Sequence, residues 1–432
     1  MLQRLIISLS ASLLLTCTGL SVINAVPPDY LGRAQEAIAR KDYSGALAAL
    51  DGAVKENPNN VLARLWRGRV RADRGAYDRA FEDLDEAVRL APKSAEALAS
   101  RGFVHQKRRD SDSAMADFNA ALRFDPANEL ALYCRGLLFG ESGSLRAALG
   151  DLDAALAINP TNVGALQARG QTRAFSRNWD GAIADFTKSL DLSPNDAASY
   201  TGRGGAYLGK GEFQRALEDF DKAVPLLPED ARPLIQRGYA LTAMEQNEKA
   251  LADFEAALKL DPKNAAGLMG RASVFHAMKK WAEAVTDYTA VLALDSDELA
   301  ATMGRASAYY LMGEYEKAVA DYSMAIAQHK EFAQAWNDYA WLLATGTKDG
   351  LRNGEKAVEL ATEACRLTDW KNAPYIDTLA AAYAEKGDFA AALKWQKEAV
   401  SLSSKETEEV RGELEGRVAL YQQKKPYREV PK

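Results

Sequence analysis

Apolar residues fall along this chain in paired bursts. Between residues 197 and 228, Tyr200, Gly204 and Tyr207 follow one another at steps of three and four, and a polar turn Lys210-Gly211-Glu212 interrupts them. Ala216, Phe220 and Ala223 then take up the same rhythm, and Pro228 closes the segment. Such steps place side chains on one face of an α-helix, so the segment predicts two amphipathic helices joined by a tight turn. Moved by 34 residues it returns: Gly68, Gly102, Gly136, Gly170, Gly204 and Gly238 hold one position, and Pro92, Pro126, Pro160, Pro194, Pro228 and Pro262 another. A helix pair this short cannot bury its apolar face alone, so a fixed period predicts repeats stacked into an elongated array.

With the recurrent glycine set at position 8, repeats open at Pro27, Val61, Ala95, Glu129, Val163, Ala197, Ala231, Ala265 and Leu299, nine without a gap over residues 27–332. A tenth opens at Ala333 with about six extra residues around Gly346-Thr-Lys-Asp-Gly350-Leu-Arg-Asn-Gly354, an eleventh opens at Ala373, and the two fill residues 333–402. Beyond them, in 403–432, the period stops. There Val410, Leu414, Val418 and Tyr421 predict a helix whose apolar face covers the end of the stack.

Within each repeat, positions 8 and 20 are small, as in Gly204 with Ala216 and Gly238 with Ala250, which lets paired helices approach closely. Position 24 supplies a plug: Leu84, Phe118, Leu152, Phe186, Phe220, Phe254, Tyr288 or Tyr322. Position 7 is arginine in eight successive repeats, from Arg67 to Arg305, and an aspartate follows each by sixteen residues, from Asp83 to Asp321. Partly buried charges must be paired, so this co-repetition predicts a ladder of ion pairs within or between repeats; a ligand-binding arginine row is the alternative.

These positions resemble the tetratricopeptide repeat, whose pattern is W-x2-L-G-x2-Y, A-x3-F and P over 34 residues. The resemblance covers almost all of the chain past its N-terminal segment. Two departures stand out: Leu98, Leu132, Leu166, Tyr200 and Leu234 replace the tryptophan, and arginine replaces the leucine before the glycine. The resemblance implies an all-α fold, a right-handed superhelical α-solenoid of about eleven helix-turn-helix repeats with a C-terminal capping helix. Trp341-Leu-Leu-Ala-Thr345, Trp370-Lys371, Asp377-Thr-Leu-Ala-Ala-Ala-Tyr383 and Lys425-Pro-Tyr427 resemble the terminal segment of a group of exported bacterial repeat proteins, and name no ligand.

The N-terminal segment, residues 1–25, changes the picture of where the array works. Arg4 precedes an uncharged apolar run from Leu5 to Ile23, and Ile23-Asn24-Ala25 ends it, the make-up of a secretory signal peptide cut after Ala25. Uncut, the run is long enough to anchor the chain in a bilayer; Cys17 after Leu-Leu-Thr gives a weaker lipoprotein reading. The expected location is periplasmic or secreted, with a membrane contact only if the segment is retained. Cys134 and Cys365 stand six repeats apart, beyond disulfide reach. Lys+Arg 54 against Asp+Glu 60 gives a net charge of −6 without long runs of one sign, which excludes a nucleic-acid partner as the expectation.

Candidate chemistry is sparse. His105, His276 and His329 lie in separate repeats with no ligand cluster beside them, and Gly204-x4-Gly209-Lys210 imitates a phosphate loop but has Gly211 where Ser or Thr must stand. No catalytic, metal or cofactor site is expected, and no enzyme. What remains is the hollow side of the array. Positions 4, 8 and 11 of the first helix face the second helix, so positions 5, 9 and 12 share the neighbouring face. Its candidate partner-binding residues are Phe103, Tyr133, Gln167, Gln171, Ile235, Tyr239, Met269, Met303, Tyr310 and Trp341. A neutral, aromatic, amide-bearing groove suits an extended segment or helix of a protein partner. The expected function is a non-catalytic scaffold or adaptor outside the cytoplasm, with the loop at Gly346 to Gly354 as a second contact. The alternatives are envelope glycan binding, by rings such as Trp341, Tyr310, Tyr239 and Tyr133, and an accessory role in an envelope assembly or export machine.

Overall fold

The computed structural model describes residues 28–403 and 407–429, and the expected signal peptide lies outside them. Among the described residues there are helices and turns but no strand. Eleven first (A) helices are α1 (Pro28–Ala39), α3 (Val61–Asp73), α5 (Ala95–Lys107), α7 (Glu129–Glu141), α9 (Val163–Phe175), α11 (Ala197–Lys210), α13 (Ala231–Ala243), α15 (Ala265–Ala277), α17 (Leu299–Leu311), α19 (Ala333–Thr345) and α21 (Ala373–Lys386). Each is followed by a second (B) helix: α2 (Tyr43–Glu56), α4 (Tyr77–Leu90), α6 (Ser111–Phe124), α8 (Leu145–Ile158), α10 (Trp179–Leu192), α12 (Phe213–Leu226), α14 (Asn247–Leu260), α16 (Trp281–Leu294), α18 (Tyr315–Gln328), α20 (Gly354–Leu367) and α22 (Phe389–Leu402). The last helix, α23 (Glu408–Gln422), packs on α22. The fold class is an all-α solenoid of helix pairs.

The helix boundaries follow from capping chemistry. From α3 to α21 every A helix opens on the residue at which the 34-residue frame opens its repeat. Before most of them a side-chain oxygen accepts from the backbone N–H three positions on, Asn60 from Ala63 at 2.8 Å, Asn128 from Ala131 at 3.0 Å and Asp196 from Ser199 at 2.7 Å; Asp230 and Glu298 accept from two positions on, and Phe332 before α19 offers no such oxygen. Each such oxygen satisfies one of the donors a helix start leaves orphaned. At the other end the chain turns through a left-handed residue at position 15. Gly75, Gly143, Gly211, Gly313 and Gly387 suit this conformation, whereas Lys41, Arg109, Arg177, Glu245 and Lys279 adopt it without that freedom.

The chain divides into two compact blocks, Met1–Leu227 and Pro228–Lys432. In the first, successive A helices from α3 to α11 touch one another as well as their own B helices. In the second, α13 touches α15, α15 touches α17, and α19 touches α21. In six repeats the core is a glycine facing a plug, and in the eighth and ninth Ala272 and Ala306 take the glycine's place. A Cβ on Gly204 would lie 2.7 Å from the Phe220 ring, and one on Gly238 2.8 Å from that of Phe254. The plugs themselves are fully buried or nearly so.

The arginine ladder links both within and between repeats. Nε and Nη2 of Arg203 donate to the two oxygens of Asp219, each at 2.8 Å, and the other seven pairs repeat this fork, as at Arg135–Asp151 and Arg305–Asp321. The remaining Nη1 reaches back sixteen residues to the B helix of the preceding repeat, onto Asp51 from Arg67 (2.8 Å), Asp85 from Arg101 (2.6 Å), Asn119 from Arg135 (2.8 Å) and Thr187 from Arg203 (3.1 Å). One guanidinium thus fastens an A helix to two B helices, using the planar geometry that lysine lacks.

The capping helix follows a modified plan. Leu414 and Tyr421 are buried as its apolar face predicts, but Arg417 is buried with them, while Val410 and Val418 are only half-buried. Arg417 donates to Asp377 of α21 at 2.8 Å, and Gln396 of α22 donates to the same carboxylate at 2.7 Å. The extra residues of repeat ten are held at their base, where Arg352 donates to Glu385 at 3.0 Å and to the Gly346 carbonyl at 2.9 Å, while Thr347 to Gly350 stay exposed.

Candidate partner-binding face

The ten residues expected on the open face divide by position. Position 5 turns into the next repeat. Gln167 is 3 % exposed and donates to Asp196 (2.5 Å) and Ser199 (3.0 Å), and Ile235 is buried. Phe103, at position 9, is buried as well. These three side chains are taken up by packing, and Gln167 reaches the next repeat. Tyr133, Met269 and Met303 are half-buried, and Gln171, at position 9, keeps an accessible edge. Tyr239 donates its hydroxyl to the Ala266 carbonyl at 2.7 Å. Tyr310 and Trp341 both donate to Glu429, the indole at 2.6 Å.

In repeats five and nine position 13 stands exposed. Phe175 is 53 % exposed and Leu311 is 38 % exposed, both on the last turn of an A helix. Phe175, Gln171 and Leu137 line one shallow cleft between α7 and α9. The signal was available: position 13 lies four residues past position 9, on the same helical face. A second apolar row, Phe124, Ile158, Leu192 and Leu226 in the first block and Leu260 and Leu294 in the second, marks position 30 at the ends of B helices.

The histidines, expected in separate repeats, each have a partner close in the fold. His105 sits 3.1 Å from Asp110 and packs its ring edge against Phe81, while His276 faces Ser307 at 3.2 Å, its imidazole held below the usual range by burial. Among the described residues no three metal-ligating side chains converge. Gly204, Gly209 and Lys210 all lie within α11, which therefore forms no phosphate loop. Burial pushes the thiols of Cys134 and Cys365 up to about 12, which leaves them protonated and inert. Among the described residues no helix is long and apolar enough to cross a membrane.

Helix pairs in register, with a small residue facing the plug, define a class, the helical-repeat solenoids. The family model for the tetratricopeptide repeat matches residues 31–95, 168–231, 235–298 and 277–331, and a second model of that repeat matches 375–406. The first alone spans more than half of the chain, which belongs to the tetratricopeptide repeat family.

Similar solved structures include a tetratricopeptide repeat protein from Parabacteroides merdae ATCC 43184, 22 % identical over 57 % of this chain and 97 % of that one, with a TM-score of 0.41. The Cut9-Hcn1 hetero-tetramer of the APC/C is 13 % identical over 90 % of this chain and 96 % of that one, with a TM-score of 0.49. YrrB, described as having an unusual peptide-binding site, is 24 % identical over 44 % of this chain and 97 % of that one, with a TM-score of 0.37. No curated protein matches the sequence.

Proposed function

We propose that this protein is a non-catalytic scaffold outside the cytoplasm, which holds an extended segment or helix of a partner protein against the exposed faces of its A helices. The observation that carries this reading is that positions 9, 12 and 13 carry no formal charge from repeat five to repeat nine, with Gln171 and Phe175 in the first block and Leu311 in the second, whereas Arg69, Asp73, Lys107 and Glu141 occupy them in repeats two to four. Uncharged and aromatic side chains of this kind suit the desolvated centre of a protein interface. The exported location rests on the sequence of residues 1–25, and two buried, inert thiols suit an oxidising compartment. Tyr239, Tyr310 and Trp341, rings that a glycan reading needs, are each bonded internally.

Co-purification from the native envelope after crosslinking tests the reading. Phe175→Ser and Leu311→Ser alter exposed side chains, so the melting temperature is expected to stay within a degree or two while bound partner falls tenfold or more. Full retention of partner by both variants contradicts the proposed face. Mass spectrometry of the mature chain is expected to find Val26 at its N-terminus; a chain that still begins at Met1 overturns cleavage.

A further inference from the structure

Past α23 the chain does not trail away. Residues 425–429 fold back onto α17, α19 and α21, and Tyr427, Arg428 and Glu429 each meet a receptor of matching chemistry. The Tyr427 ring packs on Trp341, centroids 5.7 Å apart, with the Arg417 guanidinium 5.0 Å from Tyr427 and 5.6 Å from Trp341. Arg428 pairs with Glu385 at 2.5 Å. Glu429 accepts from the Tyr310 hydroxyl and, at 2.6 Å, from the Trp341 indole.

The main chain takes part as well. The last four carbonyls of a helix have no partner within it. In α19, Gly346 N–H serves Leu342 and Asn353 N–H serves Leu343. The tail supplies the other two donors: the Arg428 guanidinium reaches Ala344 at 3.5 Å and Glu429 N–H reaches Thr345 at 3.1 Å. Pro426 offers no N–H and holds its neighbour extended. An aromatic slot, an acidic socket, a pair of donors for a carboxylate and a main-chain acceptor are thus arrayed for three consecutive residues of an extended segment.

Tyr310 and Trp341 lie on the A-helix face that elsewhere stays open, and the seated side chains of residues 427–429 remain half-exposed rather than core. We propose that this is a peptide seat, that its ligand is an extended segment carrying an aromatic residue, an arginine and a glutamate in succession, and that the chain's own Tyr427–Glu429 is its resident occupant in cis. A partner segment of that chemistry binds repeats nine and ten by displacing the tail. Tethering gives the tail an effective concentration in the millimolar range, so a free peptide competes poorly until the tail is weakened. The proposal deepens the scaffold reading and rests on it for the existence of a partner.

The test uses the full chain and a fluorescein-labelled peptide with the sequence of residues 422–432, followed by anisotropy. Tyr427→Ala with Glu429→Gln is expected to open the seat and to tighten peptide binding at least tenfold over the unaltered chain. Adding Tyr310→Phe to that variant, or Gln for Glu429 in the peptide, is expected to weaken it again by about tenfold. Equal binding to the closed and opened chains, or none to an opened chain with unchanged melting temperature, overturns the seat and leaves the tail a fixed staple.

Hydrogen exchange on the unaltered chain is the second measurement, since it needs no variant to fold. The Glu429 amide is expected to exchange at least tenfold faster than the α19 amides; equal protection overturns displacement. A failed titration beside partner loss in Phe175→Ser and Leu311→Ser removes the seat and leaves the scaffold. The reverse pattern removes the scaffold and leaves the seat.

Discussion

Gly238 sits inside a helix, where glycine ordinarily costs about 1 kcal/mol against alanine, so a Gly→Ala change in an open helix stabilises. Here the added methyl would meet Phe254 at 2.8 Å. Gly238→Ala is therefore expected to lower stability by about 1–3 kcal/mol, the usual cost of overpacking, in a denaturant titration. At position 15 the sign reverses: Lys279 holds a left-handed backbone at φ 59°, and Lys279→Gly is expected to gain about 1 kcal/mol by relieving it.

Asp73, at the end of α3, has a buried oxygen with no hydrogen-bond partner, and burial pushes its carboxyl up to about 7 against the opposing pull of Arg69. Between about pH 4, the unfolded range, and pH 7 the folded state then binds the extra proton, so stability falls as pH rises through that window. Asp73→Asn is expected to raise the melting temperature more at pH 8 than at pH 5; an equal change at both would contradict the shift. The glycines and plugs were legible in the sequence because a small residue and a large apolar or aromatic one recur at a fixed spacing. Position 25 was not, since Asp51, Asn119 and Thr187 share only an acceptor oxygen for the reaching arginine.

Among elements, the ladder decides how firmly successive helices are joined. Arg203 forks onto Asp219, which is 4 % exposed, and also reaches Thr187 of the preceding repeat. Its removal strands a buried carboxylate, so Arg203→Ala is expected to cost roughly 2–4 kcal/mol, somewhat below the usual range for breaking a buried pair because the guanidinium keeps a wet edge. Lys210 pairs with Asp180 and Glu212 at the surface, where water and salt screen such bonds, so Lys210→Ala is expected to melt close to the unaltered chain. Equal melting temperatures for the two variants would reject the ladder as a fastening.

Most A-helix starts were readable because they depend on a local cap, as at Asn60, Asn128 and Asp196. The burial of Arg417 was not, because its partner Asp377 lies forty residues earlier in the chain. An apolar stripe drawn from spacing alone gives Val418 the place that the ion pair gives to Arg417.

For the molecule as a whole, the period revealed that the A helices carry an open face but not which positions stay open. A turn of 100° per residue groups positions 5, 9 and 12. Neighbouring repeats then cover position 5, as at Gln167, and leave position 13 uncovered, as at Phe175. Nothing local shows that Glu429 returns to Tyr310, 119 residues away in sequence.

A photo-crosslinking residue placed at the face itself tests the binding reading most directly. Installed in place of Gln171 or Leu311 on A helices, and of the exposed Lys188 or Lys259 on B helices, it is to be irradiated in the native envelope. Covalent partner adducts are expected from positions 171 and 311 and not from 188 and 259. Adducts that form only at the B-helix positions would contradict the A-helix face as the surface that holds the partner.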